Sequence, residues 1–164
     1  MKIHIGTDHA GFEFKQEFVE WLKSEGHEVE DHGAHELDPA DNYPDFVVPA
    51  AKAVAHEPGS FGVVIGGSGY GEAMAANRIT GVRAAVFYGP RAAVAAVDAT
   101  GRKSEDEYEL IKLTRLHNNA NVLSFGLRFI TMLEAQKAVS VFLSTEFEGG
   151  RHQKRIDLIE ELTK

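Results

Sequence analysis

The sequence of 164 residues predicts an α/β domain built on a parallel sheet about five strands wide, with helices covering both faces. Three observations carry that expectation. Short β-branched runs alternate along the whole chain with segments whose apolar residues recur at three- and four-residue spacing. One such run, Val63-Val-Ile, ends in a loop carrying Gly67, Gly69 and Gly71 and passes directly into Glu72-Ala-Met-Ala-Ala, whose residues are strong helix formers. The composition, 43% apolar and 26% charged, is that of one globular domain with enough apolar side chains for its own core.

Taken in order, Lys2 to Thr7 reads as a strand closed by the polar turn Gly6-Thr-Asp-His. Phe12, Phe14, Phe18, Val19, Trp21 and Leu22 then form the apolar stripe of a helix that ends before Gly26. Glu28 to Gly33 is a weak, polar strand suited to a sheet edge. Ala34 to Pro44, with Asp38-Pro and Asn42-Tyr-Pro, is a loop. Asp45 to His56 is a helix of small residues that tolerates Pro49 near its start. Phe61 to Ile65 is the strand feeding the glycine loop, and Thr80 to Phe87 supplies a turn and another strand. From Pro90 the pattern turns helical over Ala92 to Val97, breaks at Asp98-Ala-Thr-Gly-Arg-Lys, and resumes at Ser104-Glu-Asp-Glu107. That last run is a capping-box pattern leading through Leu116. A strand over Asn121 to Ser124, a helix from Thr131 to about Leu143 and a terminal amphipathic helix after Gly149-Gly150 complete the chain.

Several function classes are excluded or disfavoured. A formal charge of −8 disfavours a nucleic-acid backbone as partner, and no segment is apolar for long enough to span a bilayer. The absence of cysteine removes disulfide and thiolate chemistry and fits a reducing compartment, so the cytoplasm is the expected location. The glycine loop lacks the Gly-x-x-x-x-Gly-Lys-Ser/Thr of a P-loop, and its third glycine comes one residue too early for the dinucleotide fingerprint. His4, His27, His32, His35 and His56 form no spaced ligand set and are expected to be surface or packing residues.

The loop from Gly67 to Gly71 aims backbone N–H groups, with those of the first helical turn, into one small volume that favours negative charge. Glu72 is the only acid in it. It can be a base beside an oxyanion cradle, or simply complement the helix dipole. Asp8 and His9 stand between a strand and a helix, at the edge where open α/β sheets bind ligands, or serve as an N-cap and a solvated imidazole. Tyr43 either packs or lends its hydroxyl to the cleft. His117 is a ligand-facing group or a helix C-cap cation. Arg151 and Arg155, four apart, can clamp one dianion or form a solvated basic turn. If the first, third and last strands are central, Asp8, His9, the glycine loop, Glu72, His117 and Asn118 are expected to converge on one sheet edge.

Six separate segments carry a family resemblance: Gly6-Thr-Asp-His-Ala-Gly11, Asn42-Tyr-Pro, Gly66-Gly-Ser-Gly-Tyr-Gly-Glu72 with Ala75-Ala-Asn, Gly81-Val-Arg-Ala-Ala85, His117-Asn-Asn with Asn121-Val-Leu, and Gly150-Arg-His-Gln-Lys-Arg155. In this order they resemble the ribose-5-phosphate isomerase B family, which also contains the allose- and galactose-6-phosphate isomerases. The resemblance implies a Rossmann-like three-layer sandwich with a C-terminal helix, acting without metal or cofactor on a phosphorylated sugar. It also implies a homodimer, with pairing into a tetramer left open, whose active sites are shared between subunits.

Carried over by residue, the resemblance makes Glu72 the carrier of the proton between C1 and C2 through a cis-enediolate. Asp8 and His117 help open the sugar ring, and Tyr43 lines the sugar site. Ser68 and the backbone of Gly67, Gly69 and Gly71 hold the enediolate oxygens, with Asn118 nearby. His9, Arg128, Arg151 and Arg155 bind phosphate, some of them from the partner chain. Many family members carry a cysteine base at the end of the third strand. Here that position is Gly66, so the chain resembles the branch that uses a glutamate at the helix start. The helical segment at about 89–116 is longer than is usual in the family. Alternatives left open are another sugar phosphate, such as allose 6-phosphate, galactose 6-phosphate or erythrulose 4-phosphate, and a non-catalytic phosphosugar-binding protein.

Overall fold

The computed structural model describes residues 1–163. Its strands are β1 (Lys2–Thr7), β2 (Glu28–Asp31), β3 (Phe61–Gly66), β4 (Ala84–Phe87) and β5 (Val122–Gly126). The helices are α1 (Phe12–Ser24), α2 (Pro44–His56), α3 (Tyr70–Ala76), α4 (Glu109–Asn118), α5 (Met132–Ser144) and α6 (Arg151–Leu162), with a single 3-10 turn at His9–Gly11. All strand pairs are parallel, in the order β2-β1-β3-β5-β4. The first, third and last strands are therefore the central three, and their carboxyl ends lie side by side, with Thr7 paired to Ile65 and Gly66 to Gly126. Among the described residues no helix is long and apolar enough to cross a membrane.

Alternation along the central strands divides the apolar side chains between two faces. Ile3, Ile5, Val63, Ile65, Leu123 and Phe125 pack with Phe18 and Leu22 of α1 and Ala135, Val139 and Phe142 of α5. Val64 and Val122 face the other way, against Val47, Ala51 and Val54 of α2 and Ala76 of α3. The polar β2 is an edge strand, as its composition predicts. A helix start that carries the full capping box is α5, where the Thr131 hydroxyl accepts from Glu134 N–H and the Glu134 carboxylate accepts from Thr131 N–H.

The segment after β4 departs from expectation. Residues 91–106 contain no helix, and α4 begins only at Glu109. Ala92 to Ala96 are exposed, and a short helix without a buried face is not stable in water. The Ser104 hydroxyl does not cap a helix there. It donates to the buried Glu109 carboxylate at 2.8 Å, which also takes Arg102 at 2.6 Å. Arg102 and Ser104 hold that carboxyl below its ordinary range. Asp98 ties the preceding turn by accepting from the Thr100 N–H and hydroxyl at 2.8 and 2.7 Å.

Candidate active site

The glycine loop leaves β3 at Gly66 and turns at Gly69, whose φ of 74° is the left-handed conformation glycine adopts freely. The end of β5 clasps it. The Ser124 hydroxyl donates to the Gly69 carbonyl at 2.7 Å, and the N–H groups of Leu127 and Arg128 donate to the carbonyls of Gly66 and Gly67 at 3.0 and 3.2 Å. Gly126 is required there, because a Cβ on it would stand 2.7 Å from the Ser68 carbonyl oxygen.

Glu72, in the first turn of α3, folds back over the end of β3. Its carboxylate occupies the volume that a side chain on Gly66 would take, so the two positions are sterically exclusive. The residue is 5% exposed, and its Oε2 has no hydrogen-bond partner. Burial pushes the carboxyl above its ordinary value. The N–H groups of Glu72 and Gly69 pull the other way, and the nearby Asp8 charge adds to the rise. Desolvation therefore outweighs the helix terminus, which is the condition a carboxylate must meet to be a competent base near neutral pH. Gly66→Ala is expected to expel the Glu72 carboxylate while leaving the sheet intact. Turnover should fall with little change in the far-ultraviolet circular dichroism, and normal turnover in that variant would contradict the overlap.

Other sequence-predicted residues lie along the same loop. Asp8 is buried and accepts from the Ala10 N–H at 3.0 Å, so it is both a cap and a neighbour of Glu72. The Tyr43 ring and hydroxyl stand over Gly71, 3.0 Å from where a Cβ would be. The Arg128 guanidinium lies against Gly67, 3.2 Å from where a Cβ would be. Half-buried Ser68 offers its hydroxyl beside the loop, accepting a long bond from the Tyr70 N–H at 3.4 Å.

Two residues that sequence reasoning missed complete this edge. Asp41 accepts from the His9 N–H at 3.1 Å and faces His9 Nδ1 at 2.7 Å, which leaves Nε2 free to point outward. The pair raises the His9 pKa, chiefly through the Asp41 bond. Only the position of Asp41, two residues before Tyr43 in an acid-rich loop, hinted at it. Tyr88 immediately follows β4, and its place at a strand end was the available signal. Its hydroxyl is buried without a hydrogen-bond partner, and its ring packs on Tyr70 at 5.0 Å and Phe129 at 5.7 Å. Burial holds this phenol protonated well above its ordinary range.

Because the folded His9 pKa is raised, the stability from its pair with Asp41 is fully present below the unfolded value and is lost as pH rises through the folded one. Asp41→Asn should bring the His9 titration back toward its ordinary midpoint, as read by NMR of the ring protons. An unmoved midpoint would dissociate the two residues.

The expected convergence of His117 and Asn118 on this edge is corrected by the structure. A crossover helix runs antiparallel to the strands it connects, so the end of α4 lies where β5 begins, at the opposite edge. The six residues of β3 separate the two edges by about 17 Å. Arg151 and Arg155 begin α6 and belong with His117; they are one turn apart and exposed, as their spacing predicts. This second cluster contains a further missed residue, His152, whose ring stacks on His117 at 4.3 Å with 6° between planes. Glu148 Oε2 stands 3.8 Å from His117 and 3.9 Å from His152, and Arg151 Nε approaches His152 Nε2 at 3.3 Å. Burial lowers the His152 pKa, and the His117 and Arg151 charges act in the same direction. The Asn118 carbonyl is engaged by Arg83 Nε at 3.0 Å. Asn119 ends α4 in the left-handed conformation, with φ of 44°.

A buried carboxylate among backbone donors at the carboxyl edge of a parallel sheet, with an arginine and a histidine at the same edge, suits an α/β enzyme that moves a proton on an anionic substrate. The sequence matches the Ribose/Galactose Isomerase family over residues 3–101 and 105–159, and the chain belongs to that family. The interruption at 102–104 falls inside the long segment before α4. A ribose-5-phosphate isomerase B of Mycobacterium tuberculosis is 40% identical over 162 residues, covering 98% of this chain and 89% of that protein. The one from Escherichia coli is 37% identical over 158 residues, covering 96% and 93%. Among solved structures, the ribose-5-phosphate isomerase B of Mycoplasma genitalium with bound ribulose-5-phosphate superposes with a TM-score of 0.83 at 37% identity. The match covers 98% of this chain and 95% of that one.

Proposed function

We propose that the protein interconverts ribose 5-phosphate and ribulose 5-phosphate by proton transfer, with Glu72 as the base. The observation that carries this reading is the Glu72 carboxylate: buried, short of one partner, and lodged over Gly66 within the glycine loop. Membership of the Ribose/Galactose Isomerase family and the names of the relatives supply the substrate class.

Glu72 takes the proton from C2 of the open-chain aldose, and the electron pair left behind forms the cis-enediolate. The backbone N–H groups of Gly67 to Gly71 and the Ser68 hydroxyl hold the negative charge on oxygen. Return of the proton to C1, with a hydroxyl proton passing from O2 to O1, yields the ketose. Glu72 ends as it began. Asp8 lies beside Glu72 and assists ring opening, Tyr43 bounds the sugar, and His9 with Arg128 receives phosphate.

His117, Asn118, Arg151 and Arg155 cannot reach the Glu72 of their own chain. They complete the site of a second copy in a two-fold dimer, where His117 assists ring opening and the arginines add to the phosphate clamp. The direct test offers purified protein ribose 5-phosphate, allose 6-phosphate, galactose 6-phosphate and erythrulose 4-phosphate side by side in chelator. Preference for ribose 5-phosphate is the expected result. Preference for another sugar would transfer the assignment to that substrate, and no turnover on any of them would favour a phosphosugar-binding role.

A further inference from the structure

A second group of ligating side chains sits far from the glycine loop, on the α2 face of the sheet. His4 in β1 pairs in register with Glu30 in β2, and alternation places His32, two residues further on, on the same face. Sequence spacing gave no hint of this, because the ligands lie 26 and 28 residues from His4 and only the parallel pairing of β1 with β2 brings them together. His4 Nδ1 is 3.0 Å from His32 Nε2 and 3.7 Å from Glu30 Oε2, and His32 Nε2 is 3.6 Å from Glu30 Oε1. Tetrahedral zinc, with bonds of about 2.0–2.2 Å to nitrogen and oxygen, sets neighbouring ligand atoms about 3.3–3.5 Å apart. With one ligand atom from each residue, the three all lie within 4.8 Å of one another, and the two nitrogens and the facing Glu30 oxygens stand close to that edge length.

The surroundings of His4 fit the same reading. Its Nε2 faces Glu57 Oε2, at the end of α2, at 3.2 Å. Glu57 thus draws the ring proton to Nε2 and leaves the Nδ1 lone pair directed at His32 and Glu30, the carboxylate–histidine arrangement that orients metal ligands. Lys2 bridges the two carboxylates at 2.9 Å each and offsets one of their charges. Asp31 next door is engaged by the buried Lys15 at 2.6 Å. His4 is 1% exposed, His32 is partly buried and Glu30 is open to solvent, so the group opens to water on the Glu30 side.

We propose that His4, His32 and Glu30 bind one zinc-class divalent cation, with Glu57 as the positioning residue for His4. The site is remote from the isomerisation chemistry. It ties β2, and the start of the loop that carries Asp41 and Tyr43, to the central sheet.

The test is calorimetric titration of the chelator-stripped full-length protein with Zn²⁺, alongside its melting temperature with and without the ion. One Zn²⁺ per chain and a saturable rise in melting temperature are expected. His32→Ala and Glu30→Gln should each weaken binding by about tenfold or more, and Glu57→Gln by about ten- to a hundredfold. Glu30 is exposed, so its variant keeps the test valid should His32→Ala fold poorly. No binding by the wild-type chain would overturn the proposal. So would binding that survives Glu30→Gln and His32→Ala but is lost in His152→Ala, which would place the ion at the stacked histidines instead.

Discussion

Glu72→Gln is expected to lower kcat for ribose 5-phosphate by about 10²- to 10⁴-fold, the range for removing a general base, with little change in the affinity of a non-reacting phosphosugar. The variant should not be less stable. Glu72 has a folded pKa raised by burial, so it costs the fold free energy that grows as pH rises above the ordinary unfolded carboxyl value and is complete above the folded one. A permanently neutral glutamine escapes that cost. The variant should melt above the wild-type protein at neutral pH, by about 2–4 °C for each kcal/mol relieved, with the gap closing as pH falls. Loss of turnover together with gained stability separates a catalytic role from a folding defect. Undiminished turnover would remove Glu72 as the base.

The second large effect is complementation between inactive variants. In a two-fold dimer whose sites combine Glu72 of one copy with His117 of the other, Glu72→Gln and His117→Ala are each nearly inactive alone. A mixed dimer of the two has one site intact and one site carrying both defects. Random reassortment after co-unfolding and refolding should restore about a quarter of wild-type activity, since half the dimers then carry one working site of two. Mixtures as inactive as their components would mean that His117 is not shared in this way. The roughly 17 Å between the two sheet edges makes the result decisive, because no side-chain movement within one chain closes that gap.

Several features were legible from local pattern. Short β-prone runs marked β1 and β3, and helical spacing marked α1, because conformational preference and periodicity are recorded within each element's own residues. The glycine loop was readable because close backbone approach and positive φ leave glycine as the tolerated residue at positions such as Gly69 and Gly126. Residues 91–106 misled for the complementary reason. The Ala92 to Val97 run has a helical pattern, but Ala92 to Ala96 are exposed in the fold and bury no face, and Ser104 and Arg102 satisfy Glu109 instead.

The amino-acid sequence by itself determined the alternation of strands and helices, the glycine loop at the end of β3, and the presence of Glu72 beside it. Its motifs placed the chain near the isomerases to which it is related. Tertiary structure alone decided which residues meet. It put burial ahead of the helix terminus at Glu72, supplied Asp41 to His9, sent His117 to the far edge, and brought His4 to His32. The division has one physical cause. Periodicity and backbone conformation are properties of neighbouring residues, whereas strand order, register and desolvation arise from contacts between segments that the chain separates by tens of residues.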